Sequence, residues 1–281
     1  MWYWILRLEG LFVLPIAVFY YKLRGIPFTS RCKKCQRRLF DPVSFRCGLC
    51  ESCHKERLSD MTAFYSEQYE TAKPPTKLAP DNFFPRLVKK IGNGKVLDVG
   101  CGLGYLLSRV KLPAGLLYGM DVGPGALRVA RSWVAGGNFC LGDATSIPYR
   151  PGSFDYLVCT EILEHLTVEQ GAEAVKEYYR VLRPGGVALI TVPNGKGVLG
   201  DYFSAHIRFF SFESFTTLIK EGGFEVISGK KFGLYIPLVS RFIGFVHTAL
   251  GRYIPYPPML NIEIPESLCT SFFIECQKPV I

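Results

Sequence analysis

The chain has 281 residues, enough for one full α/β domain with appendages and a buried core. Hydrophobic residues make up 48% and aromatics 14%, which excludes a disordered chain. The net charge of +9 is uneven: from Lys22 to Arg57, ten Lys and Arg meet three acids (Asp41, Glu51, Glu56), an excess of +7. Such a block suits anionic lipid head groups or nucleic acid, or forms a solvated face.

Residues 1–21 are apolar except for Arg7 and Glu9, a length sufficient to span a bilayer, although the uninterrupted stretch from Gly10 to Tyr21 is only twelve residues. There is no basic leader and no small-residue cleavage site, which argues against a cleaved signal peptide. Trp2, Tyr3, Trp4, Tyr20 and Tyr21 lie at its ends, where interfacial aromatics belong. The basic residues that follow would keep the downstream chain on the cytoplasmic side. Residues 1–28 are therefore expected to form an apolar membrane-anchor helix, spanning or lying on the bilayer; a helix packed on the protein itself is the competing reading.

Five of the ten cysteines crowd into residues 32–53, and the other five are scattered through apolar runs as buried thiols are. That distribution suits a reducing compartment with one metal cluster. Cys32-x₂-Cys35 and Cys50-x₂-Cys53, separated by fourteen residues, form the two knuckles of a tetrahedral zinc site. Residues 29–59 are thus expected to be a zinc-ribbon-like module with structural zinc, Cys47 and His54 being spare ligands. Cys50-Glu-Ser-Cys-His54 also fits a c-type haem attachment motif, which would require the opposite compartment and leave Cys32 and Cys35 unexplained.

A proline-containing linker (residues 60–85) leads into alternating strand and helix patterns. Strand-like runs fall at 95–99, 116–121, 137–141, 154–160, 186–192, 224–230 and 269–277, and helical patterns at about 104–110, 124–134, 169–182 and 212–221. Arg183-Pro-Gly-Gly186 reads as a turn between helix and strand. This order predicts an α/β fold, a seven-stranded, mostly parallel sheet with helices on both faces. From Ile236 to Arg252 an amphipathic pattern places Ser240, Arg241, Gly244, His247, Thr248 and Arg252 on one helical face. It marks an insertion at about 233–260, open to reading as a packed helix, a dimer contact, a membrane-touching surface or a wall of an apolar pocket.

Chemistry concentrates on Val96-Leu-Asp-Val-Gly-Cys-Gly-Leu-Gly104, an apolar run into three alternating glycines, with Asp121 about 20 residues beyond Gly100 at the end of a second run. This arrangement brings backbone close to a nucleotide-like ligand and offers a carboxylate to ribose hydroxyls. Leu141-Gly-Asp-Ala144 ends a third strand with a carboxylate. Phe154 to Leu166 runs into the acidic turn Glu161-Ile-Leu-Glu164-His165, and Leu182 to Asn194 is the fifth strand with its lead-in.

Over residues 60–281 these motifs resemble the class I S-adenosylmethionine-dependent methyltransferases, closest to the group that includes quinone-biosynthesis methyltransferases. The resemblance implies a Rossmann-like domain binding S-adenosyl-L-methionine. Asp98 and the Gly100, Gly102, Gly104 loop would hold the methionine part and Asp121 the ribose. Asp143 and Ala144 would meet the adenine edge, and Glu161 would lie near methyl transfer. His165 and His206 are the candidate bases for an oxygen nucleophile. Similar Glu-x-x-Glu-His arrangements with a later histidine bind a divalent metal in small-RNA 2′-O-methyltransferases, so Glu161, Glu164, His165 and His206 form a candidate metal set. In metal-free relatives the same turn only caps and packs.

The first functional reading is a membrane-associated methyltransferase acting on a lipid-like or isoprenoid-linked small molecule. The second is an RNA methyltransferase, since a zinc module ahead of this fold resembles certain ribosomal RNA guanine methyltransferases and its charge would meet phosphates. Those enzymes lack an apolar N-terminal segment, and no base-stacking motif is evident here. A third, a non-enzymatic cofactor-fold partner, conflicts with the intact loop and acids.

Overall fold

The computed structural model describes residues 84–194, 206–234, 265–266 and 269–280. All of these except His206 belong to one compact unit; His206 groups with the other. The N-terminal apolar segment, the cysteine module with Cys32, Cys35, Cys50 and Cys53, and the 236–252 pattern lie outside the described residues. No described helix is long and apolar enough to cross a membrane.

The described strands are β1 (Val96–Val99), β2 (Leu117–Asp121), β3 (Asn138–Leu141), β4 (Phe154–Thr160), β5 (Leu182–Pro193), β6 (Glu225–Leu234) and β7 (Cys269–Gln277). They form one sheet in the order β3-β2-β1-β4-β5-β7-β6. β1 to β5 pair in parallel, and β7 runs antiparallel between β5 and β6. The order reverses at β1, so the carboxyl ends of β1, β2 and β4 flank the switch point where open α/β sheets take ligands.

Helices cover both faces, as the alternation predicts. Alternate side chains along each strand enter two separate cores. Leu97, Leu157 and Ile190 pack with Val175 and Tyr178 of α3 (Val168–Val181) and with Phe215 of α4 (Phe212–Glu221). Val96, Val158 and Leu189 pack on the other face with Leu87 of α1 (Phe84–Val88) and Leu127 of α2 (Pro124–Trp133). The starts of α3 and α4 are written locally. Thr167 and Gln170 form a reciprocal capping box, as do Ser211 and Ser214, satisfying amides that a helix start leaves open.

Two expected elements differ. The helix expected over 104–110 reduces to one 3₁₀ turn, Leu107–Arg109. Gly100, Gly102 and Gly104 all take left-handed φ, so the first turn is used by the loop. The expected turn at Arg183-Pro-Gly-Gly186 is instead a bulge inside β5: Leu182 pairs with Phe154, and the next pair is Val187 with Tyr156. Pro184 has no N–H to give to a ladder, which favours such an irregularity. Gly185 and Gly186 then bond to Lys278 beyond β7, at 2.8 and 2.9 Å.

Candidate functional site

The site begins where β1 ends. Gly100 and Cys101 both donate to the Met120 carbonyl at 2.9 Å, carrying the loop across the end of β2. Gly104, at φ +79°, packs against α2; a Cβ there would lie 3.0 Å from Ala130 Cβ and 3.1 Å from its Cα. Gly102, at φ +50°, has open space where its Cβ would point. Gly104 therefore lets the helix close on the loop, while Gly102 leaves backbone bare toward the ligand side. On the far side the Gly100 Cα faces Ile162, so loop and acidic turn touch.

Asp121 closes the loop from β2. Its Oδ2 accepts the Gly102 amide at 2.9 Å and its Oδ1 the Gly123 amide at 2.8 Å. Burial pushes this carboxyl above its usual range, against the pull of those amides. Asp98 is more extreme: it is 2% exposed, and its Oδ1 is buried without a hydrogen-bond partner. Burial first and the Asp121 charge second push Asp98 well above the usual carboxylate range. An unpaired buried carboxylate beside a second one is costly unless something cationic or donating meets it.

Past β3, Asp143 is exposed, and its Oδ1 accepts both the Thr145 amide and hydroxyl at 2.7 Å; Ala144 beside it is buried. Past β4, Glu161 adopts φ +57°, the one left-handed non-glycine among the described residues. Such a backbone is strained and gathers at functional positions. The Thr191 hydroxyl donates to its Oε1 at 3.0 Å, and its amide donates to the Thr191 carbonyl at 3.1 Å. Glu161 is reached by solvent, yet protein packed round its carboxyl raises it to about 7, the Thr191 bond pulling the other way.

Three residues on, Glu164 is fully buried, and burial followed by Glu161 raises its carboxyl well above normal. Its carbonyl accepts the amides of Ile207 and Arg208 at 3.0 Å, and its Oε1 lies 3.6 Å from His165 Nε2. Of the expected metal set, Glu164 and His165 lie together, whereas Glu161 is held by Thr191 and does not join them. His206 belongs to the other compact unit.

Asp98, the glycine loop and Asp121 are thus brought together as expected, with Glu161 joined through Ile162 at Gly100. Thr191 is a partner that the sequence did not announce, since its link to Glu161 bridges 30 positions. The unusual backbone of Glu161 likewise has no residue-type signal; a glycine there would have given one.

Residues 97–190 match the methyltransferase domain family. Over 149 residues the chain is 30% identical to a probable S-adenosylmethionine-dependent methyltransferase of Mycolicibacterium smegmatis, covering 51% of this chain and 56% of that protein. Over 111 residues it is 32% identical to the ubiquinone biosynthesis O-methyltransferase of Pseudomonas aeruginosa, covering 36% and 44%. The chain spans about half the length of the curated relatives it matches. A solved S-adenosylmethionine-dependent methyltransferase from Thermotoga maritima, described as a possible histamine N-methyltransferase, shares the fold. The TM-score is 0.51 at 19% identity, over 81% of this chain and 96% of that one. The domain match and the relatives' names indicate an S-adenosylmethionine-dependent methyltransferase, and the solved structure adds the fold.

Proposed function

We propose that this chain transfers methyl groups from S-adenosylmethionine to a lipid-like or isoprenoid-linked small molecule at the cytoplasmic face of a membrane. The observation that carries the cofactor assignment is the buried Asp98 with its unpaired Oδ1, beside Asp121 and the bare backbone of Gly102. This site suits a ligand that carries positive charge and ribose hydroxyls. Asp98 and the glycine loop would hold the methionine part, Asp121 the ribose, and Asp143 with Ala144 the nucleobase edge. When bound, the cofactor supplies an electrophilic methyl group on a positively charged sulfur.

The chain's own contribution is alignment, exclusion of water and a proton acceptor. If the acceptor atom is a hydroxyl oxygen, its proton would pass to Glu161 or His165. Glu161 is set up for this role because Thr191 fixes its direction and burial raises its carboxyl to about 7.

The membrane and lipid part of the reading draws on the apolar residues 1–21 and the basic run behind them. It gains support from Val168 and Phe209, 61% and 51% exposed, on the segments leading from the acidic turn and from Arg208. The cysteine module (29–59) is proposed to hold structural zinc through Cys32, Cys35, Cys50 and Cys53. The same basic module favours a second reading, RNA methylation. Incubating the full chain with methyl-labelled cofactor and separate lipid and RNA extracts tests the choice. Label in the lipid fraction is the expected result; label confined to RNA overturns it.

A further inference from the structure

β3 is the edge strand of the sheet, so the loop that leaves it has a neighbouring strand on one side only. The loop from Gly142 to Arg150 contains no helix or strand, yet it is held closely from α3. Glu177 Oε2 accepts the Ile147 amide at 2.8 Å. Arg180 donates through Nη1 to the Tyr149 carbonyl at 2.7 Å and through Nη2 to the Ile147 carbonyl at 2.9 Å. The two side chains also grip each other, Nε to Oε1 at 2.6 Å and Nη2 to Oε2 at 2.7 Å. Beyond the clamp, the Tyr149 ring packs edge-on against Tyr118 and Phe154, and its hydroxyl accepts from Cys140 Sγ at 3.3 Å. Asp143 is turned by its own bonds to Thr145.

We propose that Arg180 and Glu177 are positioning residues that set Asp143 and Ala144 against the nucleobase of the cofactor. Their hydrogen bonds go to Ile147, Tyr149 and each other. They act through the loop, by engaging one amide and two carbonyls within three consecutive residues. A guanidinium is suited to this because its planar fork fixes two acceptors at once, which a lysine cannot do. An ion pair that only steadied the surface would contribute little, being partly open to water at 33% and 20% side-chain exposure. Here the pair also makes three hydrogen bonds to one loop, and within that loop the Ser146 amide donates to the Asp143 carbonyl at 3.0 Å, tying the clamped residues to Asp143. A misplacement of an ångström there would fall on the contact that distinguishes one base from another.

This inference rests on the assignment of Asp143 and Ala144 to the nucleobase edge. It is tested by calorimetric titration of the full chain with S-adenosylhomocysteine and with S-inosylhomocysteine, which carries an oxo group in place of the 6-amino group. A carboxylate facing that amino group accepts from it but repels the oxo oxygen, so the native chain should prefer the adenine compound by about tenfold or more. Arg180→Ala should reduce the preference to about twofold or less, chiefly by weakening the adenine compound. Glu177→Gln, which keeps an acceptor for Ile147 but loses the charge, and Arg180→Lys, which keeps the charge but loses the fork, should fall between. Thermal unfolding of each variant without ligand confirms that it is folded, and Arg180→Lys is read in place of Arg180→Ala should the latter not fold. Variants that retain the native preference overturn the positioning role, whether or not they are less stable. A native chain that binds both compounds equally overturns the nucleobase assignment, and one that binds neither overturns the cofactor reading itself.

Discussion

Asp98 is buried next to Asp121 with an oxygen that nothing in the described structure satisfies. A carboxyl raised above its unfolded value contributes stability that is fully present below about pH 3.9 and lost as pH rises through its folded value. The ligand-free protein should therefore lose stability from this group as pH rises. Asp98→Asn should remove that loss, raising the ligand-free melting temperature at pH 8 by about 2–4 °C while weakening cofactor binding by about tenfold or more. Paired melting curves and titrations would show both; a variant less stable and equally tight-binding would contradict the account. Asp155 supplies the opposite sign. Burial pushes it up, but Arg183, the Lys95 amide and their charges hold it below its usual range. Its contribution is present above the unfolded carboxylate range and lost as pH falls through its folded value. Asp155→Asn should thus flatten the acid limb of the stability profile and leave the limb above neutrality unchanged.

At the scale of elements, the contact of Gly104 with α2 joins the loop to the helix that follows β2. Gly104→Ala places a methyl 3.0 Å from Ala130 Cβ at a φ of +79°, so both the helix and the loop backbone must yield. A loss of about 1–3 kcal/mol is expected, read as a lower denaturation midpoint, together with weaker cofactor binding. Gly102→Ala meets no protein atom and should cost less stability while still impairing binding. The first strands were readable in advance because β1, β2 and β3 are short, mostly apolar runs that reach Gly or Asp at their carboxyl ends, and the buried face of α3 follows the helical period from Ala174 to Val181. The segment after the glycine loop was misread because its apolar spacing suits a helix, while three left-handed glycines leave no room to start one. The clamp on the β3 loop was not readable at all. Glu177 and Arg180 look like an ordinary exposed i, i+3 pair, and their targets lie about 30 positions away in sequence.

Across the whole molecule, the methyltransferase match and the residues behind the proposed membrane reading occupy different stretches of the chain. The loop, Asp121 and the acidic turn lie in the domain that matches methyltransferases, at residues 97–190. The main sequence features behind the proposed membrane reading lie in the first 57 residues, where an apolar run and a +7 local charge follow one another. If that N-terminal segment supplies the address, deleting residues 1–26 should release the protein from sedimented membranes while leaving cofactor affinity within about twofold, because the proposed cofactor residues all lie beyond Lys95. Equal sedimentation of the truncated and full chains would contradict the membrane reading without touching the cofactor site. The measurement that tests the central claim most directly is calorimetric titration of S-adenosylhomocysteine into the full chain and into Asp121→Ala. Saturable binding to the native chain and a loss of at least about tenfold in the variant are expected, since Asp121 holds the glycine loop and, in the proposed site, would meet the ribose. No binding to the native chain, or equal binding to both, would contradict the account.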